Sequence, residues 1–181
     1  MKALIAALRG YLFKLRCQLV GKNIEIGSGL KIYCKLEIEG KGRVSIGNNC
    51  TVSRINGDTR HYVTIYTHDP AAMVSIGDNA MLFAARISSK FEIKIGNDFL
   101  IEESGIMDTD FHTLSPDRSP PSESREKCSI FIGDRVSIGA RSVVCKGVSL
   151  GDDVVVWPGS VVKKTVPSGI EVCGNPARAI R

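Results

Sequence analysis

The chain holds three histidines, His61, His68 and His112, the side chains whose ordinary pKa sits nearest neutrality. Each is a candidate to take a proton from a hydroxyl during attack on an electrophile. His112 closes the run MDTDFH (107–112), with Asp108 and Asp110 just before it. Residues two apart on an extended chain share a face. Asp110 is therefore placed to bond the His112 imidazole and fix its tautomer. His61 and His68 fall in a segment of irregular pattern, where a surface or packing role is the default, with His61 within range of an acceptor. The three histidines are seven and then forty-four residues apart, and the six cysteines show no CxxC spacing. Neither pattern is a metal-ligand cluster, so no metal site is read.

The elements that must position these groups are written in a period of six. From Ile132, the residues Ile132, Ile138, Val144, Leu150, Val156 and Val162 hold one phase. Four positions on come small or β-branched residues: Val136, Ser142, Val148, Val154 and Ser160. A helix wants apolar residues every 3.6 positions and an exposed strand every second one. A strict period of six fits a solenoid of short strands and tight turns. Weaker copies lie upstream at Ile26-Gly27, Ile46-Gly47, Ile76-Gly77 and Ile95-Gly96, each followed by a polar pair. Ile95, Ile101 and Met107 read as in phase, as do Ile76 and Leu82, before the frame slips near 88–93.

Composition narrows the function classes. The chain has 181 residues, 6% aromatics and 18 glycines, which suits thin repetitive coils in one domain. Its formal charge of +5 is diffuse, without the basic tract expected of a nucleic-acid partner. No run approaches the roughly 18–20 apolar residues that cross a bilayer. No short apolar core with a small-residue cleavage site opens the chain, so no secretory signal is read. The scattered cysteines read as buried thiols in a reducing cytosol. A cytoplasmic location is expected, with the inner face of the membrane as a variant.

The repeats, His112 before a long interruption, and the C-terminal stretch VVKKTVPSGIEVCGNPARAIR (161–181) resemble the bacterial hexapeptide-repeat acyltransferases. The likeness covers roughly residues 21 to 181. It implies an all-β solenoid, a left-handed parallel β-helix, active as a homotrimer with its groove between chains. It also implies acetyl-CoA as co-substrate and His112 as general base. By position, Gly139 and Ala140 match small residues along the pantetheine arm. Lys164, Arg178 and Arg181 match cations near the phosphates, where guanidinium groups bind well. Trp157 and Pro158 stand where the family has glycine and alanine, and Ser137 where it usually has tryptophan. Trp157 is thus placed to stack on the co-substrate or to narrow its channel. Zinc carbonic anhydrases on the same solenoid set two ligands close together, which this chain does not.

The run DTDFH and a basic N-terminal segment resemble enzymes that O-acetylate sugars in capsule and O-antigen assembly. Alternatives are a small-molecule acetyltransferase, including N-acetylation of an amino sugar, and a non-catalytic scaffold. Residues 1–20 read as an amphipathic helix, from Leu4, Ile5, Leu8, Leu12, Leu15 and Leu19 with Lys2, Arg9, Lys14 and Arg16. It is expected to cap the first coil or to rest on a membrane surface. The β-helix is expected over 21–164, with excursions at 53–72 and 113–128. The latter is rich in proline and serine. A tail follows over 165–181.

Overall fold

The computed structural model describes residues 1–20, 23–55, 60–110, 116–117, 119 and 123–180. One hexapeptide buries one or two aliphatics, such as Ile132 with Val136, each worth roughly 1.5–3 kcal/mol. Ordering six residues costs more than that, so each coil exists only on its neighbours. The described strands stack into three parallel sheets, the faces of a triangular prism. The first face runs from Ile24–Ile26 through Arg43–Ile46, Met73–Ile76, Glu92–Ile95 and Ile130–Ile132 to Ser149–Leu150. The second runs from Lys31–Ile32 through Thr51–Ser53, Met81–Phe83, Leu100–Glu102 and Ser137–Ile138 to Val155–Val156 and Glu171–Cys173. The third runs from Leu36–Gly40 through Val63–Thr67, Arg86–Ser89, Gly105–Met107 and Val143–Val144 to Val161–Val162.

Inside the prism the repeat residues stack in columns. Ile46, Ile76, Ile95, Ile132 and Leu150 are buried on the first face. Val52, Leu82, Ile101, Ile138 and Val156 are buried on the second. Ile65, Ile87, Ile106, Val144 and Val162 are buried on the third. The core member in the fourth coil is therefore Ile106, with Met107 beside it only half-buried, where a strict period of six selects Met107. The corner there is one residue short, turned by Glu103 at φ 39°, as Ala84 at φ 50° turns the corner before Ile87.

The polar pairs after each Ile-Gly are a device of the first corner. The backbone N–H of Asn48 donates to Asp78 Oδ1, that of Asp78 to Asn97 Oδ1, and that of Asn97 to Asp134 Oδ1. Asp134 N–H continues to Asp152 Oδ1 and Asp152 N–H to Ser168 Oγ. The next residue in each corner, Asn49, Asn79, Asp98, Arg135 or Asp153, takes a positive φ. Asparagine and aspartate tolerate that region better than most side chains. The glycines ahead of the pairs stack directly. A Cβ on Gly96 would lie 2.7 Å from the Gly133 carbonyl carbon and 2.4 Å from Asp134 Oδ1.

Two expected boundaries move. Val63–Thr67, inside the expected excursion 53–72, is a full ladder strand between Leu36–Gly40 and Arg86–Ser89. The core residue Ile65 follows Val52 by 13 residues, so the six-residue phase is lost there. The ladder also passes beyond Lys164: Val166 bridges Leu150, and Glu171–Cys173 pairs with Val155–Val156 before turning back on Arg178–Ala179. Pro167 follows the Val166 bridge directly. Each preceding Gly at that corner donates its N–H to the following coil, as Gly133 does to Leu150 and Gly151 to Val166. At the last coil no following strand needs Pro167's missing donor.

Of the excursion 113–128, residues 113–115, 118 and 120–122 lie outside the described residues. Its end is a one-turn helix, Arg125–Cys128, held by Arg125 on Glu92 Oε2 and the Ala71 carbonyl. The N-terminal helix α1 spans Lys2–Val20 and packs across Ile24–Ile26 and Lys31–Ile32.

The stacked corner predicts a sharp contrast between two glycines. Gly96→Ala drives a methyl into backbone and costs about 2–3 kcal/mol or more. Gly105→Ala, with nothing within 4 Å of its would-be Cβ, changes stability by less than about 0.5 kcal/mol. Denaturant unfolding of the two variants checks both.

Candidate active site

The stretch leading to His112 leaves the third face after Gly105–Met107, and carboxylates hold it. Asp108 is fully buried. It accepts the Lys90 and Phe91 backbone N–H groups at 2.7 and 2.9 Å and the Ser89 hydroxyl at 2.7 Å. It therefore fastens this turn to the corner of the coil before. Asp110 is exposed. Its carboxylate takes the Lys146 ammonium, and its N–H donates to Glu123 Oε1 at 3.0 Å.

Glu123 is the hub of this corner, with a side chain only 2% exposed. Besides Asp110 N–H it accepts the Thr109 hydroxyl at 3.0 Å and the ammonium groups of Lys90 at 3.1 Å and Lys146 at 3.2 Å. Burial pushes its pKa up. The Asp110 amide, the two lysines and Thr109 outweigh burial and bring it down to about 2. Burial lowers the pKa of Lys146, and Asp110 and Glu123 together raise it further, so the net shift is upward. His112 lies outside the described residues, as does Arg181.

The other edge of the third face carries the residues expected along the co-substrate arm. Gly139-Ala140 and Trp157-Pro158 occupy the same corner in successive coils. Pro158 rides directly on Gly139, where a Cβ would meet its ring at 2.7 Å. Three serines hold this corner from within. Ser104 Oγ donates to the Gly139 carbonyl and accepts Ser142 N–H, both at 2.8 Å. Ser142 Oγ donates to the Trp157 carbonyl and accepts Ser160 N–H, both at 3.2 Å. Ser160 Oγ donates to the Trp157 carbonyl in turn. The Trp157 ring is 46% exposed, and its N–H bonds Glu171 Oε2 at 2.9 Å. Lys164 and Arg178 are exposed at the last coil, Lys164 after Val161–Val162 and Arg178 in the terminal hairpin.

Between these two edges, the outer surface of the third face forms a trough of two adjoining hollows of about 360 and 330 Å³. His61, Ala84 and Arg86 line both. Thr64, Tyr62 and Tyr66 line the first, and Arg141, Ser142 and Met107 the second. The Thr64 hydroxyl is buried without a hydrogen-bond partner among the described residues. Among those residues no group of three His, Cys, Asp or Glu side chains is arranged to hold a metal ion.

The bacterial transferase hexapeptide pattern of six repeats matches residues 129–164. Over 161 residues the chain is 29% identical to WbbJ of Escherichia coli K12, named as a lipopolysaccharide biosynthesis O-acetyl transferase. That match covers 89% of this chain and 69% of WbbJ. The chain thus carries the bacterial transferase hexapeptide repeat and is similar to transferases that share it. It is also 49% identical over 51 residues to YvoF of Bacillus subtilis 168, named as an acetyltransferase, a match over 28% of this chain that spans only 30% of YvoF. Of the solved structures, AntD, an N-acyltransferase from Bacillus cereus in complex with dTDP and 3-hydroxybutyryl-CoA, superposes with a TM-score of 0.68 at 19% identity. The superposition covers 93% of this chain and 87% of AntD, and the shared fold is the left-handed parallel β-helix.

Glu123, Lys146, Lys90 and Arg86 carry no motif in the sequence that singles them out. No spacing could have joined Glu123 to lysines 33 and 23 residues away. The one available signal was an acidic residue at the end of the Pro/Ser-rich run.

The Glu123 hub carries a pH signature. Its folded pKa lies below the ordinary value of 4.5, so its stabilisation is complete above that value and is lost as pH falls toward about 2. Glu123→Gln is expected to cost about 2–3 kcal/mol at pH 7. The gap to wild type narrows progressively below about pH 4.5, as urea unfolding at several pH values will record.

Proposed function

We propose that this chain is an acetyl-CoA-dependent O-acetyltransferase that acetylates a sugar hydroxyl in surface-polysaccharide assembly. The observation that carries the reading is the trough on the third face. It opens between the turn that leads to His112 and the Gly139–Trp157 corner, and offers Arg86 and His61 to a polar acceptor. The 29% identity to WbbJ across most of the chain supports the same class.

In this reading His112 takes the proton of the acceptor hydroxyl as its oxygen attacks the thioester carbonyl. The new C–O bond makes a tetrahedral oxyanion. Collapse breaks the C–S bond, and the proton on the imidazole passes to the departing thiolate. Asp110, tied to Lys146 and Glu123, would present the segment on which the base stands. Gly139, Ala140, Trp157 and Pro158 would line the acyl-carrier arm. Lys164, Arg178 and Arg181 would face its phosphates. A flat sheet supplies one wall of such a groove, and a neighbouring copy in a homotrimer would supply the other.

A thiol-release assay with acetyl-CoA over sugars, nucleotide sugars and amino sugars tests the class and separates hydroxyl from amine acceptors. His112→Ala is expected to cut kcat by about 10²–10⁴-fold while CoA still raises the melting temperature. Activity within about three-fold of wild type overturns the assignment of the base. No thermal response to CoA in wild type points instead to a non-catalytic scaffold.

Arg178→Ala is expected to raise the acetyl-CoA KM about ten-fold with kcat less affected, the mark of a lost charge-assisted contact to bound co-substrate. Initial rates at varied acetyl-CoA check this. Mass photometry at micromolar concentration reads the trimer directly.

A further inference from the structure

The N-terminal helix is oriented against its own hydrophobic pattern. The residues α1 buries against the first coil are Ala6, Gly10 and Cys17. Gly10 approaches so closely that a Cβ there would lie 1.9 Å from the Leu30 carbonyl oxygen. Leu4, Leu8, Leu12 and Leu19 each stand two residues from one of these three, which on a helix is more than half a turn away. They point outward and are 77%, 57%, 54% and 85% exposed. Ile5 and Tyr11 widen the exposed stripe. Scattered surface leucines need no explanation, whereas a contiguous apolar stripe marks an interaction surface.

The surroundings of the stripe are cationic. α1 contains no acidic residue, and Lys2, Arg9 and Arg16 recur at seven-residue spacing, forming one row along the helix. Beside that row, a hollow of about 400 Å³ is lined by Lys2, Arg9 and Arg54 together with Ile5, Ile55, Tyr33 and Ser53, and no carboxylate lines it. Arg54 comes from the body, not from the helix, so the cations converge from two elements. None of these three has an ion-pair partner among the described residues. A second copy's α1 is equally basic and equally without acid, so helix-to-helix pairing would juxtapose like charges. An anionic phospholipid surface matches both features: acyl chains for the leucine stripe and headgroup phosphates for the cations. No helix among the described residues is long and apolar enough to cross a bilayer.

We infer that α1 docks this protein on an anionic bilayer surface, with Leu4, Leu8, Leu12 and Leu19 in the interface and Lys2, Arg9 and Arg54 on lipid phosphates. This surface lies on the first coil, apart from the trough, and its test needs no acetyl transfer. The full chain is floated with vesicles of phosphatidylcholine alone and of phosphatidylcholine with phosphatidylglycerol. Binding is expected to the second and not the first, and to weaken as salt rises. Arg9→Gln and Arg54→Gln should each weaken binding about five-fold. The double variant Leu8→Glu/Leu12→Glu, at exposed positions, should reduce it by more than ten-fold with the melting temperature kept. Absence of flotation with the anionic vesicles overturns the inference, as does binding that neither pair of variants alters. Loss of oligomer mass in the leucine variant without any vesicle binding by wild type assigns the stripe to a second copy instead. Should the leucine variant not fold, the arginine variants decide alone.

Discussion

Everything in this molecule rests on satisfying the backbone amides that emerge at the first corner of each coil. A strand of two residues cannot supply its own partners, and each such hydrogen bond contributes about 0.5–1.5 kcal/mol. Here the side chain of one coil accepts the amide of the coil before, through Asn48, Asp78, Asn97, Asp134, Asp152 and Ser168. Stacked glycines let the coils approach closely enough for that ladder to close. With the spacing set at about 4.8 Å, residues dozens of positions apart come into register. A site can then be assembled from several coils without a large core.

The same chemistry is reused where the chain leaves the solenoid. Asp108 accepts two amides and a hydroxyl of the preceding coil, and Glu123 gathers an amide, a hydroxyl and two ammonium groups. Buried carboxylates are expensive unless every lone pair is used, and here both are well supplied. The consequence is that Asp108, Thr109 and Asp110 are tied to the coil before and to Glu123. On the opposite edge, neutral serines do the equivalent work for Gly139-Ala140 and Trp157-Pro158, where the corner is turned without charge. Charged anchors thus flank one side of the trough and uncharged ones the other. Arg86 and His61 line it between the two.

Trp157-Pro158, which departs from the usual family pattern, finds a local physical reason. Proline lies flat over Gly139, the one residue without a Cβ to collide with it, and the indole N–H is anchored on Glu171. Trp157 stays partly exposed, at the end of the solenoid that also carries Lys164 and Arg178.

Much of the fold was legible because a solenoid is nearly one-dimensional. Each buried aliphatic meets its counterpart one coil away, so a period in sequence is a column in space, and Ile132 through Val162 declared it. The helix over 2–20 was legible from its own periodicity for the same local reason. Where the spacing departs from six, the periodicity misleads: it selects Met107 over Ile106, because a corner turned by Glu103 drops one residue, and makes 53–72 irregular, because 13 residues separate Val52 from Ile65. The roles of His112, Gly139, Ala140, Lys164, Arg178 and Arg181 rest on resemblance and stay proposals; the structure places Gly139 and Ala140 at one corner and Lys164 and Arg178 at the last coil. Only the tertiary structure decided that Glu123 joins Lys90, Lys146 and Asp110, since those contacts bridge separations that no local pattern encodes. It also decided which face of α1 meets the body. Periodicity marks the leucine stripe, but the choice of Ala6, Gly10 and Cys17 for the contact follows from close approach to the Leu30 carbonyl, a steric fact that exists only once the coil is folded.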